Sequence, residues 1–215
     1  MNWKLPNQLT VCRIGLAAVF FVLLGLFQPG TAAGPVLLIS ALVVFVVAGV
    51  TDFLDGHIAR KMHVESAFGR IVDPFVDKVL IVGAFAMLAG SNFYAPDASG
   101  AEGDLPHWLT GGMLSVVQAW MVVAVLAREF IVSAIRGYSE SCGKEFPATY
   151  AGKIKMIVQL VAIGTVLVQI ALLPEAAWAI YMKVAMVWLA VVVTVVSGLA
   201  YVGKARKLLI LEPTE

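Results

Sequence analysis

Polar and turn-forming breaks divide this sequence into six apolar runs, each long enough to cross a bilayer as a helix. A helix needs about 20 apolar residues to span the hydrocarbon core. Within that core a backbone must satisfy its own hydrogen bonds, and only helices and closed barrels do so. The runs cover residues 9–27, 35–60, 69–90, 109–138, 152–173 and 177–208. Gln28-Pro29-Gly30 ends the first and Pro174 the fifth, and Pro35 suits the first turn of the second. Charged residues make up 13% of the chain, against about 25% in soluble domains. The pattern predicts an all-α integral membrane protein, a bundle of six transmembrane helices forming one domain over residues 1–215. The net charge of +1 gives no reason to expect a nucleic-acid partner. Cys12 and Cys142 are too few and too far apart for a disulfide framework or a metal site. Residues 14–27 followed by Thr31-Ala32-Ala33 have features of a secretory signal, but Arg13 and a polar stripe through Asn7, Thr10 and Arg13 favour a retained first helix.

The distribution of basic residues sets the expected orientation. Lys4, Arg13, Arg60, Lys61, Arg70, Lys144, Lys153, Lys155, Lys204, Arg206 and Lys207 fall toward one side, while Asp97, Glu102, Asp104 and Glu175 fall toward the other with Lys183. Positively charged loops stay in the cytoplasm, so both termini are expected there, and an even number of spans agrees.

Against this background the segment TDFLDGHIARKMHVESAFGRIVDPFVDKVL, residues 51–80, stands out because it places Asp52, Asp55, Asp73 and Asp77 at the junction of the second and third spans. Charged groups in membrane spans are expensive and usually serve function. Asp52 and Asp55 are three apart and Asp73 and Asp77 four apart, so each pair shares one helix face. A short connection makes the two helices antiparallel neighbours, able to bring the faces together. Four carboxylates in one place repel one another unless a cation lies between them. Hard oxygen donors select Mg²⁺, Mn²⁺ or Ca²⁺, and two such ions would make a phosphoryl-transfer centre. Gly56 and Gly69 leave room for a close ligand, Ala59 is small, and Arg60 can grip a phosphate with two parallel hydrogen bonds. The bland alternative is four carboxylates that pair with basic neighbours or face water. A different functional class, a cation- or proton-coupled transporter, also uses intramembrane carboxylates. Transporters, however, place their site near the midplane between related halves, and no internal repeat is visible here.

The arrangement D-x2-D-G-x2-A-R-x8-G-x3-D-x3-D, read at Asp52, Asp55, Gly56, Ala59, Arg60, Gly69, Asp73 and Asp77, resembles the signature of the CDP-alcohol phosphotransferases at all eight positions. The resemblance implies a six-helix membrane enzyme, often a homodimer, that moves a phosphatidyl or similar group from a CDP-linked donor to an alcohol and releases CMP. It implies two divalent ions, Mg²⁺ or Mn²⁺, on Asp52, Asp55 and Asp73, with Asp77 as a further ligand and general base. Gly56, Ala59 and Arg60 would line the donor pocket beside Gly69, and Asn7 and Thr10 would form a wall of it; an interfacial helix start with a snorkelling Arg13 is the plainer reading of that stripe.

Two segments bear on the acceptor. They are LPNQLTVCRIGLA, residues 5–17, and AREFIVSAIRGYSESCGKEFPATYAGKIKM, residues 127–156. Arg128 lies well inside the fourth span, and Arg128, Ser133, Arg136, Lys153 and Lys155 could converge near the cytoplasmic face, where a phosphate on the acceptor would want such a cluster. Glu129, next in sequence, is expected on a different side of the helix. Lys144, Lys155 and Arg136 also fit simple positive-inside decoration. Both segments resemble the bacterial branch of the family that uses glycerol 3-phosphate. The resemblance therefore implies CDP-diacylglycerol as donor, glycerol 3-phosphate bound by Arg128, Arg136 and Lys153, and a place in the bacterial cytoplasmic membrane with the site facing the cytoplasm. An inositol-phosphate acceptor would also want basic residues. His57, His63 and His107 show no ligand spacing and read as surface groups.

Overall fold

The computed structural model describes residues 5–62, 67–94, 105–142 and 150–210. Within its helices, the side chains of residues 5–10, 52–62, 67–74, 76, 77, 150, 151 and 207–210 lie outside the described set. The described residues are mostly helical, with α1 at Leu5–Leu26, α2 at Gly34–Met62, α3 at Ala67–Leu88, α4 at His107–Thr110, α5 at Ala119–Ser141, α6 at Tyr150–Leu172 and α7 at Ala177–Ile210. No β-strand occurs among them; one isolated bridge joins Tyr94 to Met113. Among the described residues, three helices carry stretches long and apolar enough to cross a membrane, at Gly34–Thr51, Gly152–Leu172 and Ala177–Arg206. Shorter apolar stretches occupy Val11–Leu26 of α1 and Lys78–Leu88 of α3. In α5 the apolar run is interrupted by Arg128, Glu129 and Arg136.

Five of the six apolar runs correspond to long helices whose ends shift by a few residues. The fourth is different. The run expected over residues 109–138 is not one helix, because its first ten residues are taken up by the end of α4 and an irregular segment before Ala119. Gly111 and Gly112, at φ 64° and 69°, end α4 in the left-handed region where an ordinary side chain is strained. The apolar residues that follow serve as a plug, with Met113, Val116 and Val117 buried. Polar bonds hold the segment: Ser115 Oγ donates to the Leu88 carbonyl at 2.6 Å, and Lys183 Nζ from α7 donates to the Leu114 carbonyl at 2.5 Å. Hydrophobic content predicted burial here, but burial does not dictate a helix.

α1 packs against both α2 and α3, α6 against α2 and α7, and α5 against α7, with α3 also touching α5 and α6. Phe20 and Phe45 meet across α1 and α2 with ring centroids 5.2 Å apart. Gly83 lets α3 approach α1, since a Cβ there would lie 2.4 Å from Phe21 Cζ. Side chains such as Val22, Val36, Val123, Phe130 and Leu199 remain exposed around the outside. A contiguous apolar exterior is unsuited to water and marks a membrane or interaction surface. Arg13 is 1% exposed, so it is drawn into the bundle and does not snorkel to an interface.

Candidate active site

The helical backbone places Asp52 and Asp55 near the C-terminal end of α2 and Asp73 and Asp77 near the N-terminal end of α3. As a donor set, four carboxylates at these register positions suit hard divalent cations. Their side chains, and those of Asn7, Thr10, Ala59 and Arg60, lie outside the described residues, as do the surroundings of Gly56 and Gly69.

Directly following Asp77, Lys78 belongs to a polar centre between α3, α5, α6 and α7. Its hub is Glu129 of α5, which is buried. Arg128 Nη1 donates to Glu129 Oε1 at 3.0 Å, and Lys155 Nζ of α6 donates to the same oxygen. Arg128 Nε donates to Ser197 Oγ of α7 at 3.3 Å, and its guanidinium lies 5.6 Å from the Tyr201 ring centroid. α7 is notched to admit it, since a Cβ at Gly198 would stand 2.9 Å from Arg128 Cγ. Ser133 Oγ donates to the Glu129 carbonyl at 2.7 Å and accepts from Lys78 Nζ.

Two expectations are corrected here. Adjacent helical residues diverge by about 100°, which separated Arg128 from Glu129 in the sequence-based reading. The long arginine side chain closes that gap by folding its guanidinium back onto the neighbouring carboxylate. For Lys155 the surface-decoration alternative fails: it is 7% exposed, ion-paired with Glu129, and lines a cavity with Lys78 and Arg136. A buried cation needs a partner, and Glu129 is the acid that its helix faces.

Two adjoining cavities open on this centre. One, of about 260 Å³, is lined by Lys78, Arg128, Ser133, Arg136, Lys153 and Tyr201, among others. The other, of about 220 Å³, shares Lys78, Glu129 and Arg136 and reaches Lys155 and Gln159. Arg128, Arg136 and Lys153, the three cations selected from sequence, thus line a single cavity. Lys78, Ser197 and Tyr201 were not selected. Lys78 was masked by its place beside the aspartate signature, and the two α7 residues lie in a run whose spacing carries no polar signal. Gln159 Nε2 donates to Thr194 Oγ1 at 2.9 Å and ties α6 to α7 beneath the cavities.

A separate groove of about 390 Å³ runs between α2 and α6, lined by apolar residues including Leu42, Phe45, Val50 and Leu160. Gly49 and Gly164 keep it open. Val50, one of its lining residues on α2, lies two residues before Asp52.

A cation-lined cavity next to the helix whose sequence carries Asp73 and Asp77 suits an enzyme that handles phosphate groups, and the sequence pattern of the CDP-alcohol phosphatidyltransferase family matches residues 3–196. The chain belongs to that family. Among curated relatives, a protein of Bacillus subtilis (strain 168) named CDP-diacylglycerol–glycerol-3-phosphate 3-phosphatidyltransferase is 29% identical over 213 residues, covering 94% of this chain and 95% of its own. Proteins of the same name from Escherichia coli (strain K12) and Shigella flexneri serotype 5b are each 31% identical over 208 residues, covering 96% of this chain and 97% of theirs.

Proposed function

We propose that this protein transfers the phosphatidyl group of CDP-diacylglycerol to glycerol 3-phosphate, giving phosphatidylglycerophosphate and CMP. The observation that carries the reading is the cavity in which Lys78, Arg128, Arg136 and Lys153 face one space next to the helix that bears Asp73 and Asp77. An acceptor bearing its own phosphate needs such a cluster, whereas a serine or a neutral alcohol does not. The full-length relatives named for this reaction support the same assignment.

In this reading the donor lipid enters from the inner leaflet with acyl chains along the apolar α2–α6 groove and its diphosphate near Arg60, with Asn7, Thr10, Gly56, Ala59 and Gly69 around the nucleotide. Asp52, Asp55, Asp73 and Asp77 would hold two divalent cations, Mg²⁺ or Mn²⁺, whose contribution is to neutralise charge on the transferring phosphate. Asp77 accepts the proton of the acceptor's 1-hydroxyl. The hydroxyl oxygen bonds to the β-phosphorus of the donor, the bond from that phosphorus to the bridging oxygen breaks, and CMP leaves with that oxygen. Arg128, Arg136 and Lys153 hold the acceptor phosphate, with Arg128 oriented by its pairing with Glu129. The six long helices would all cross the bacterial cytoplasmic membrane with both termini and the site on the cytoplasmic side, and the enzyme would work as a homodimer.

The test is CMP release by the purified protein from CDP-diacylglycerol with Mg²⁺ and a panel of acceptors. Glycerol 3-phosphate should be used, with glycerol, serine and inositol inert. Release of CMP with inositol phosphate alone would move the assignment to another branch of the family.

A further inference from the structure

The described residues around the two cavities hold five cations, Lys78, Arg128, Arg136, Lys153 and Lys155, and one carboxylate, Glu129. Their charges are not equally compensated. Glu129 takes both Arg128 and Lys155. Lys78, contributed by α3, has one partner among the described residues, the hydroxyl of Ser133. That hydroxyl has already committed its proton to the Glu129 carbonyl, so it offers Lys78 a lone pair and no charge. An ammonium half-withdrawn from water with only a neutral partner is poorly compensated, and it lines both cavities beside Arg136. Arg136 lines the same two cavities from α5.

We infer that Lys78 is a ligand of the acceptor's phosphate and the element by which α3 fixes the acceptor's distance from Asp77, one residue away on the same helix. This rests on the proposed function and extends it. Lys78 comes from the aspartate-bearing helix, whereas Arg128, Arg136 and Lys153 come from α5 and α6. A phosphate held from both sides fixes the acceptor's free hydroxyl relative to α3, and restriction of this kind is what orientation contributes to rate. The plain alternative is a strut, in which Lys78 serves only to tie α3 to α5 through Ser133.

Substitution separates the two. As a phosphate ligand, Lys78→Met raises the KM for glycerol 3-phosphate by about tenfold or more, the loss expected for one charge-assisted contact. The KM for CDP-diacylglycerol stays within about twofold. Lys78→Arg keeps most of the affinity, and Lys78→Gln, whose amide can still donate to the Ser133 hydroxyl but carries no charge, loses affinity for glycerol 3-phosphate as Lys78→Met does. The strut reading predicts the reverse, with Lys78→Gln close to wild type, and that result overturns the inference. Should Lys78→Met fail to fold, a second measurement uses the wild-type protein without added metal. Inorganic phosphate or glycerol 3-phosphate should slow acylation of the Lys78 amine, read by peptide mass spectrometry, while Lys204 on exposed α7 reacts at an unchanged rate. Equal labelling with and without phosphate overturns the inference. If wild-type protein releases no CMP with glycerol 3-phosphate yet phosphate protects Lys78, the proposed acceptor is wrong and the anion site stands.

Discussion

Replacing Glu129 with glutamine perturbs the polar centre at its hub, and its effect follows from charge counting. The Glu129 carboxylate is 10% exposed and meets two cations, Arg128 at 8% and Lys155 at 9% side-chain exposure. With glutamate the three groups sum to one positive charge. Glutamine leaves two buried cations with no counter-charge, and its NH₂ group must point at one of them. Breaking a buried ion pair by removing one partner costs about 3–5 kcal/mol. For a chain of this size each kcal/mol lowers the melting temperature by about 2–4 °C, so Glu129→Gln should melt about 6–20 °C lower in detergent, followed by intrinsic fluorescence. Lys155→Met should cost much less, because it leaves a neutral Arg128–Glu129 pair. The double variant should recover a large part of the Glu129→Gln loss, because neighbours in one network are not additive. If Lys155→Met proved as damaging as Glu129→Gln, or the double variant worse than either, Glu129 would not be the shared counter-ion.

The remaining predictions concern activity and packing. CMP release should stop in excess EDTA and return with Mg²⁺ or Mn²⁺; full activity in chelator would remove metals from the account. Asp77→Asn should lower kcat by about 10²–10⁴-fold, the usual contribution of a general base, with donor binding far less affected; wild-type turnover in single-turnover assays would move the base elsewhere. Arg128→Ala should raise the KM for glycerol 3-phosphate by at least about tenfold and, unlike Lys78→Met, should also lower the melting temperature, because Arg128 is tied to Ser197 and Glu129. Gly198→Val should mimic part of that defect, since even a Cβ there would press on Arg128 Cγ at 2.9 Å, and an unchanged KM and melting curve would show that α7 yields at little cost.

Much of this was legible in the sequence because lipid leaves few alternatives. Apolar run length located five of the six long helices to within a few residues. Runs of apolar residues failed at residues 109–118, where the information lies in Gly111 and Gly112 and not in hydropathy. Arg128 was visible as a charge where no apolar argument places one. Its partners were less so. Glu129 is adjacent in sequence and seemed angularly wrong, Lys155 resembled an interface lysine, and Ser197 and Tyr201 sit 69 and 73 positions further along in α7. Such contacts depend on which helices pack together, and span order alone does not specify that. Lys78 escaped for another reason: a signature that ends at Asp77 directs attention to the carboxylates and away from the cation beside them.

The most direct test of the central claim follows both products in one reaction. Purified protein in mixed micelles receives CDP-diacylglycerol, Mg²⁺ and isotopically labelled glycerol 3-phosphate, and CMP and lipid-soluble label are measured over time. The account predicts that label enters the lipid fraction with its phosphate retained, one for each CMP released, and that both signals fall together as Lys78, Arg128 or Asp77 is replaced. CMP release without label in the lipid, or unaltered by omitting glycerol 3-phosphate, would contradict it.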